Sequence, residues 1–317
     1  MTRIALALSF FFASISCYAN YPAKPVRIVV GFSAGSASDI LARALGTELS
    51  KRLNQTFIIE NKPGAGSMIA AQTVANAVPD GYTLLVVSAA HAASPSLYKS
   101  MPYDTFQDFV GVSRLANVPS VLIVNPSIGV SSVSDLVALG KSKSRSLNFS
   151  SPGTGSANHL ASELLLSKAA FEGQHVPYKG IPEALTAVAS GDVQFAFLPI
   201  MNVLGLVNQG KVTALAVSTL EKSQIMPNVE SVSQAGIKGY QFDPWFGLLA
   251  PAKVPKETME IIATATENAL NSPAMKEKLL QFGAEAAPLT LGKFDEFIKL
   301  ESIKFSEIVV KAGIKPE

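Results

Sequence analysis

The sequence predicts an α/β protein of two lobes, and three observations carry that reading. Short apolar, β-branched runs alternate with helical patterns along the chain, the mark of parallel strands covered by helices. A strand–loop–helix passage of nearly the same residues occurs twice, about 120 positions apart. With 317 residues, 48% hydrophobic and 16% charged, the chain is long enough for two medium cores and too apolar to remain disordered.

The elements follow in order. Arg3, the apolar run Ile4 to Ile15 and then Cys17-Tyr18-Ala19 form a secretory signal, with cleavage expected after Ala19. The run is shorter than the roughly 20 residues needed to span a bilayer. A lipoprotein cut ahead of Cys17 is the competing reading, although Ser14-Ile15-Ser16 is a poor match to a leucine-containing lipobox. Arg27 to Val30 reads as the first strand, followed by a small-residue loop and a helix. Leu41, Leu45, Leu49 and Leu53 share one face of that helix, and Arg43, Glu48, Lys51 and Arg52 take the other. Further strands are expected at Phe57 to Glu60, Thr83 to Val87, Val121 to Val124, Leu147 to Phe149, Gln194 to Leu198, Val212 to Val217 and Gly247 to Leu249. Helices are expected at Met68 to Asn76, Val133 to Leu139, Ala157 to Lys168, Pro182 to Ser190, Lys256 to Leu270 and Lys293 to Lys311. Pro182 at a helix start and Gly191 past its end are the usual punctuation.

The repeated passage reads Val30-Gly31-Phe32-Ser33-Ala34-Gly35-Ser36-Ala37-Ser38-Asp39 first and Phe149-Ser150-Ser151-Pro152-Gly153-Thr154-Gly155-Ser156-Ala157-Asn158-His159 second. Both hold Gly-Ser-Ala followed by a residue expected to cap the helix, Ser38 or Asn158. Such loops lie at the carboxyl ends of parallel strands, where ligands bind, and a helix N-terminus attracts anions. Gly-Ser-Ala is also simply a good turn-and-cap string. Asp39 is expected to serve the helix start as a structural cap, and His159 either donates to a bound anion or caps and packs.

Other chemistries find less support. The 26 basic and 24 acidic residues argue against a nucleic-acid surface. One cysteine makes neither an internal disulfide nor a thiolate zinc site, and His91, His159 and His175 lack metal-ligand spacing. Gly31-Phe32-Ser33-Ala34-Gly35 fits a nucleophile elbow with Ser33 as nucleophile, so a secreted serine hydrolase is the rival reading. That family needs a histidine late in the chain, and none follows His175. Pro63-Gly64-Ala65-Gly66-Ser67 lacks the lysine of a phosphate loop, so no nucleotide or other cofactor is expected. Trp245 is read as core packing near a connection between lobes, with ligand contact the alternative.

A further set of strings runs the length of the mature chain. They are Tyr21-Pro22-Ala23-Lys24-Pro25, Glu60-Asn61-Lys62-Pro63-Gly64-Ala65-Gly66, Pro79-Asp80-Gly81-Tyr82-Thr83-Leu84-Leu85, Met101-Pro102-Tyr103-Asp104 with Asp108-Phe109, Val124-Asn125-Pro126-Ser127, His175-Val176-Pro177-Tyr178-Lys179-Gly180, Trp245-Phe246-Gly247-Leu248-Leu249-Ala250-Pro251 and Ala312-Gly313-Ile314. In this order the chain resembles the periplasmic solute receptors of tripartite tricarboxylate transporters, the Bug or TctC family. The resemblance implies a type II Venus flytrap that the chain crosses twice, with lobe one at residues 20–122 plus 246–317 and lobe two at 123–245. It also implies a monomeric periplasmic receptor that holds a small organic mono- or dicarboxylate in the cleft and delivers it to membrane subunits. A sensor receptor of the same fold would share this chemistry.

Carried over by position, the resemblance implies ligand contacts from Phe32, Ser33, Ala34, Gly35, Ser36, Ser38 and Asp39 in the first loop. Ser88, Ala89 and His91 would follow from the loop after the third strand. Lobe two would supply Thr154, Gly155, Ser156, His159, Tyr178 and Pro199. Three departures from the family pattern stand out: Ser36 replaces a glycine, no acid or amide precedes Leu198-Pro199, and Ser88-Ala89-Ala90-His91-Ala92 lacks a glycine. They favour an acid more apolar or bulkier than citrate.

Overall fold

The computed structural model describes residues 21–142 and 147–316; the expected signal segment and Cys17 lie outside them. Eleven strands and ten α-helices are described: β1 (Val26–Val30), α1 (Ala37–Leu53), β2 (Phe57–Asn61), α2 (Met68–Ala75), β3 (Thr83–Ser88), α3 (Ala90–Leu97), β4 (Phe109–Asn117), β5 (Ser120–Val124), α4 (Val133–Lys141), β6 (Leu147–Ser151), α5 (Ala157–Ala169), β7 (Gly173–Pro177), α6 (Ile181–Ser190), β8 (Phe195–Pro199), α7 (Ile200–Asn208), β9 (Thr213–Val217), β10 (Trp245–Pro251), α8 (Lys256–Asn271), α9 (Pro273–Gln281), β11 (Glu285–Thr290) and α10 (Gly292–Lys311). The leucine stripe of α1 is realised, with Leu41, Leu45 and Leu49 buried against the first sheet and Leu53 at its edge.

Two sheets form, one of order β2-β1-β3-β10-β4-β11 and one of order β7-β6-β8-β5-β9. The parallel expectation holds for β1 with β2 and β3 and for β6 with β7 and β8. It fails where the chain changes sheet, β10 being antiparallel to β3 and β4 and β5 to β8 and β9, and also at the edge pair β11 with β4. A strand arriving from the other lobe enters its sheet at the cleft end and runs away from it. The local strands run toward it, as the pairings Phe246 with Ser88 and Ser120 with Pro199 show, except the edge strand β11, which is antiparallel to β4. The chain leaves the first sheet after Asn117 and enters the second at Ser120, so all of β5 lies in the second sheet. The break expected after residue 122 therefore moves back to Val118-Pro119.

The two crossings are bonded to one another. Val118 N donates to Pro244 O at 2.7 Å, Ser218 N donates to Ser120 O at 2.8 Å, and Phe242 N donates to Ser218 O at 2.9 Å. Helix α10 packs on α3 and on α5, so it touches both lobes. One apolar cluster runs from Val29 and Leu85 through Trp245 and Phe305 to Phe149 and Phe197.

Sequence reading missed β4, β7, β11, α3, α7 and α9. Helix α3 contains Pro95 and has no side-chain cap, and β11 contains Pro288 at a sheet edge, where a missing amide is tolerated. Phe294 lies over Gly111 and Gly247 on the paired strands β4 and β10, and a Cβ on either glycine would overlap its ring. Gly247→Ala is therefore expected to destabilise the protein by about 1–3 kcal/mol in urea unfolding. Adding Phe294→Ala should cost less than the two separate losses combined.

Candidate functional site

The starts of α1 and α5 are built alike. Gly35 and Gly155 take left-handed backbone with φ of +83° and +74°, which glycine adopts without a Cβ penalty. The next residue is extended and caps the helix: Ser36 Oγ accepts from Asp39 N, and Ser156 Oγ accepts from His159 N, each at 3.3 Å. The third helical residue answers back to the loop. Gly35 N donates to Asp39 Oδ2 at 2.8 Å, and Gly155 N donates to His159 Nδ1 at 3.0 Å. The caps are thus Ser36 and Ser156, not Ser38 and Asn158. Only the earlier serines have the extended backbone that lets a hydroxyl reach the amide three residues on.

This arrangement leaves the amides of Ala37 and Ser38, and of Ala157 and Asn158, without an acceptor among the described residues. Ala37, Ala157 and Asn158 line one cavity of about 340 Å³ between the lobes. Lobe one adds Phe32, Ser88 and Ala89 to its wall, and lobe two adds Gly155, Ser156 and Pro199. The two crossings form its floor through Val118, Ser120, Pro244 and Trp245. No charged side chain among the described residues lines this cavity. A second hollow of about 230 Å³ shares Phe32, Ala90, Gly155 and Ser156 and includes Thr154. A groove of about 440 Å³ between α5 and α10 is lined by opposed charges such as Glu301 and Lys304, which pair at 2.6 Å; neither repeated loop reaches it.

Of the expected contacts, Phe32, Ser88, Ala89, Gly155, Ser156 and Pro199 thus meet at one cavity. Ser33, Ala34 and Gly35 are exposed on the rim side of their loop and do not line it. Ser38 is buried beside Ser36, with their hydroxyls 3.2 Å apart. Asp39 is buried and fully occupied: Arg43 Nε donates to it at 3.0 Å and Asn61 Nδ2 at 2.9 Å. Burial pushes its pKa up, but the bonds from Arg43, Gly35 and Asn61 together hold it below the usual value. Its carboxylate therefore braces the loop, as a structural cap should. Tyr178 packs on the lobe-two core and is absent from the cavity lining. Trp245 fills both roles weighed for it, being buried with Nε1 donating to Glu301 Oε2 at 3.1 Å and also lining the floor.

The histidines stand back from the cavity. His91 is buried between Tyr103 and Phe109, with ring centroids 5.8 Å and 5.1 Å away. His159 and His175 stack at 3.8 Å, with Phe149 beyond them. Ser151 Oγ lies 2.7 Å from His175 Nε2 and 2.9 Å from Gly153 O, and its single proton serves one of these two contacts. No histidine hydrogen-bonds Ser33 among the described residues, so the elbow lacks the partner a nucleophile needs.

Ser120, Ala37 and Asn158 were missed as lining residues. The repeat signalled Ala37 and Asn158, once the unbonded amides rather than the caps are taken as the functional groups. Ser120 carried no motif, because its place depends on where the chain changes sheet.

The fold and the cleft define a two-lobed solute-binding protein. The family model for the tripartite tricarboxylate transporter family receptor matches residues 41–314, and the chain belongs to that family. It is 30% identical to protein BugT of Bordetella pertussis over 99% of each chain. Among solved structures it is similar to R. palustris Rpa4515 with adipate, at 31% identity and a TM-score of 0.78 over 94% of this chain and 100% of that one. It is also similar to MatC (Rpa3494) from Rhodopseudomonas palustris with bound malate, at 29% identity and a TM-score of 0.72 over 91% of this chain and 100% of that one.

Burial holds His91 down to about 4, against the lesser upward pull of its bond to the Thr105 backbone. Burial, followed by the neighbouring His159, likewise holds His175 at about 4. As pH falls through roughly 6.5 the unfolded chain binds protons that the folded one refuses. Stability is therefore lost between about pH 6.5 and 4 and levels off below. His91→Phe should shrink the stability difference between pH 7 and pH 4.5, read by urea unfolding, by on the order of 2 kcal/mol.

Proposed function

We propose that this protein is a periplasmic receptor that binds a small organic mono- or dicarboxylate between its lobes and delivers it to the membrane subunits of a tripartite transporter. The observation that carries the reading is the convergence of unbonded first-turn amides from α1 and α5 on one cavity free of charged side chains. A carboxylate supplies the acceptors those amides lack, and each helix start adds a favourable partial charge. In an apolar enclosure such donors hold an anion without a lysine or arginine. The volume of about 340 Å³ is at the small end of ligand sites, roughly 300–1,000 Å³. Adipate and malate in the two similar structures support the same ligand class.

The walls favour an acid with an apolar body. Phe32, Ala89, Ala93, Leu160, Ile181 and Phe305 outnumber the polar groups around the cavity, and burying a methylene against them contributes about 0.8 kcal/mol. Citrate offers further carboxylate groups that these walls would leave unpaired. No bond is made or broken in this reading; the lobes close on the acid and open to release it.

Thermal unfolding with hexanoate, adipate, malate and citrate tests the proposal. A bound acid at about 100 times its Kd stabilises the folded state by about 2.7 kcal/mol, a rise of several degrees. Hexanoate or adipate is expected to give the largest rise. Ser156→Trp should fill the cavity and abolish the gain while the free protein still melts cooperatively. A gain that survives in Ser156→Trp, or no gain with any acid, would overturn the reading.

A further inference from the structure

We infer that Ser120 is a specificity residue of the cavity, whose hydroxyl binds an uncharged oxygen on the body of the ligand while the helix amides hold the carboxylate; this rests on the carboxylate reading above. Ser120 is 1% exposed and lies where the chain enters lobe two. Its backbone is fully used, with N donating to Ser218 Oγ at 3.1 Å and O accepting from Ser218 N at 2.8 Å. Its Oγ has no hydrogen-bond partner among the described residues. Other buried polar atoms also lack one, among them His91 Nε2, Thr105 Oγ1 and Thr266 Oγ1, yet among the described residues only Ser120 combines an unpartnered atom with a place in the lining of this cavity.

An unpaired buried hydroxyl is costly, and alanine would pack this strand position without that cost. The neighbours offer no relief: Ser120 stands opposite Pro199, which has no amide proton, and the nearby floor is Val118, Pro244 and Trp245. Trp245 Nε1 is already committed to Glu301. The hydroxyl therefore waits for an oxygen that arrives with the occupant. A second carboxylate is a poor match, because no cation lines the floor and a single hydroxyl does not compensate a buried charge. A hydroxyl or keto oxygen needs one bond and no counter-charge. The chemical class this assigns is a hydroxy- or oxo-substituted monocarboxylate.

Calorimetric titration with hexanoate and with 3-, 4-, 5- and 6-hydroxyhexanoate tests the assignment on the wild type and on Ser120→Ala. In the wild type at least one hydroxylated acid should bind about fivefold to tenfold more tightly than hexanoate. Ser120→Ala should remove that preference while hexanoate changes by no more than about twofold. The unliganded variant should melt no lower than the wild type, since it loses an unsatisfied group and no bond. If hexanoate binds but no hydroxylated acid is preferred, or if Ser120→Ala keeps the preference or weakens every acid equally, Ser120 has no such role and the carboxylate reading stands. If none of the acids binds the wild type, the carboxylate reading fails and the role of Ser120 falls with it.

Discussion

An α-helix has no internal acceptors for its first-turn amides, and the site depends on how this chain distributes them. At α1 and α5 the cap serine takes the third amide and the answering side chain takes the loop glycine's. The first two amides of each helix stay open, beside a cavity whose walls supply no cation. Rigid caps keep the donors in place without a ligand, so little reorganisation is required on binding. The near-equality of acidic and basic residues in the whole chain agrees with recognition by aimed dipoles rather than by a basic surface.

The two loops share their geometry and differ in charge. At the same helical position lobe one has Asp39 and lobe two has His159, and each accepts from the left-handed glycine before the cap. A bare carboxylate there would repel an anion in the cleft. Arg43, bonded to Asp39 at 3.0 Å from the far side, compensates the charge where the cavity does not see it. His159 has a partner of the opposite kind one turn on, Glu163 Oε1 at 3.4 Å from its Nε2, and its ring also stacks on His175. Residues that look like ligand contacts in the sequence thus stand one layer behind, shaping the loops that line the cavity.

This explains what could be read from the sequence and what could not. Periodicity and punctuation found the elements with strong apolar patterns, such as α1 and β3, and the repeated Gly-Ser-Ala located both loops. The resemblance gave the two-lobed plan and six residues that meet at the cavity. It misjudged depth: Asp39, His91, His159 and Tyr178 sit in the right segments but face packing partners, and only distances separate those roles. The parallel-sheet expectation failed at β5 and β10 for a topological reason, since strand direction there follows from which lobe the chain has just left; the antiparallel edge strand β11 is a separate departure. Ser120 shares that blindness. A serine between Pro119 and Val121 has no local signature, and its place on the cavity floor follows from where the chain changes sheet.

That same crossing constrains how the lobes move. Pro119 stands in the outgoing segment and Pro244 in the returning one, and each has φ fixed near −65°. The hydrogen bond from Val118 to Pro244 ties the two segments together, so a change of lobe angle falls on the few free torsions beside these prolines. Helix α10 adds a second tie by packing on α3 and α5, with Phe305 reaching the cavity wall from it. The floor of the site and the pivot are therefore one piece of structure. An occupant that touches Ser120 or Trp245 touches the segment that sets the lobe angle, and an acid filling only the loop end leaves that segment free. On the proposed reading, an occupant's fit at the floor bears directly on the lobe angle, with no relay through the lobe cores.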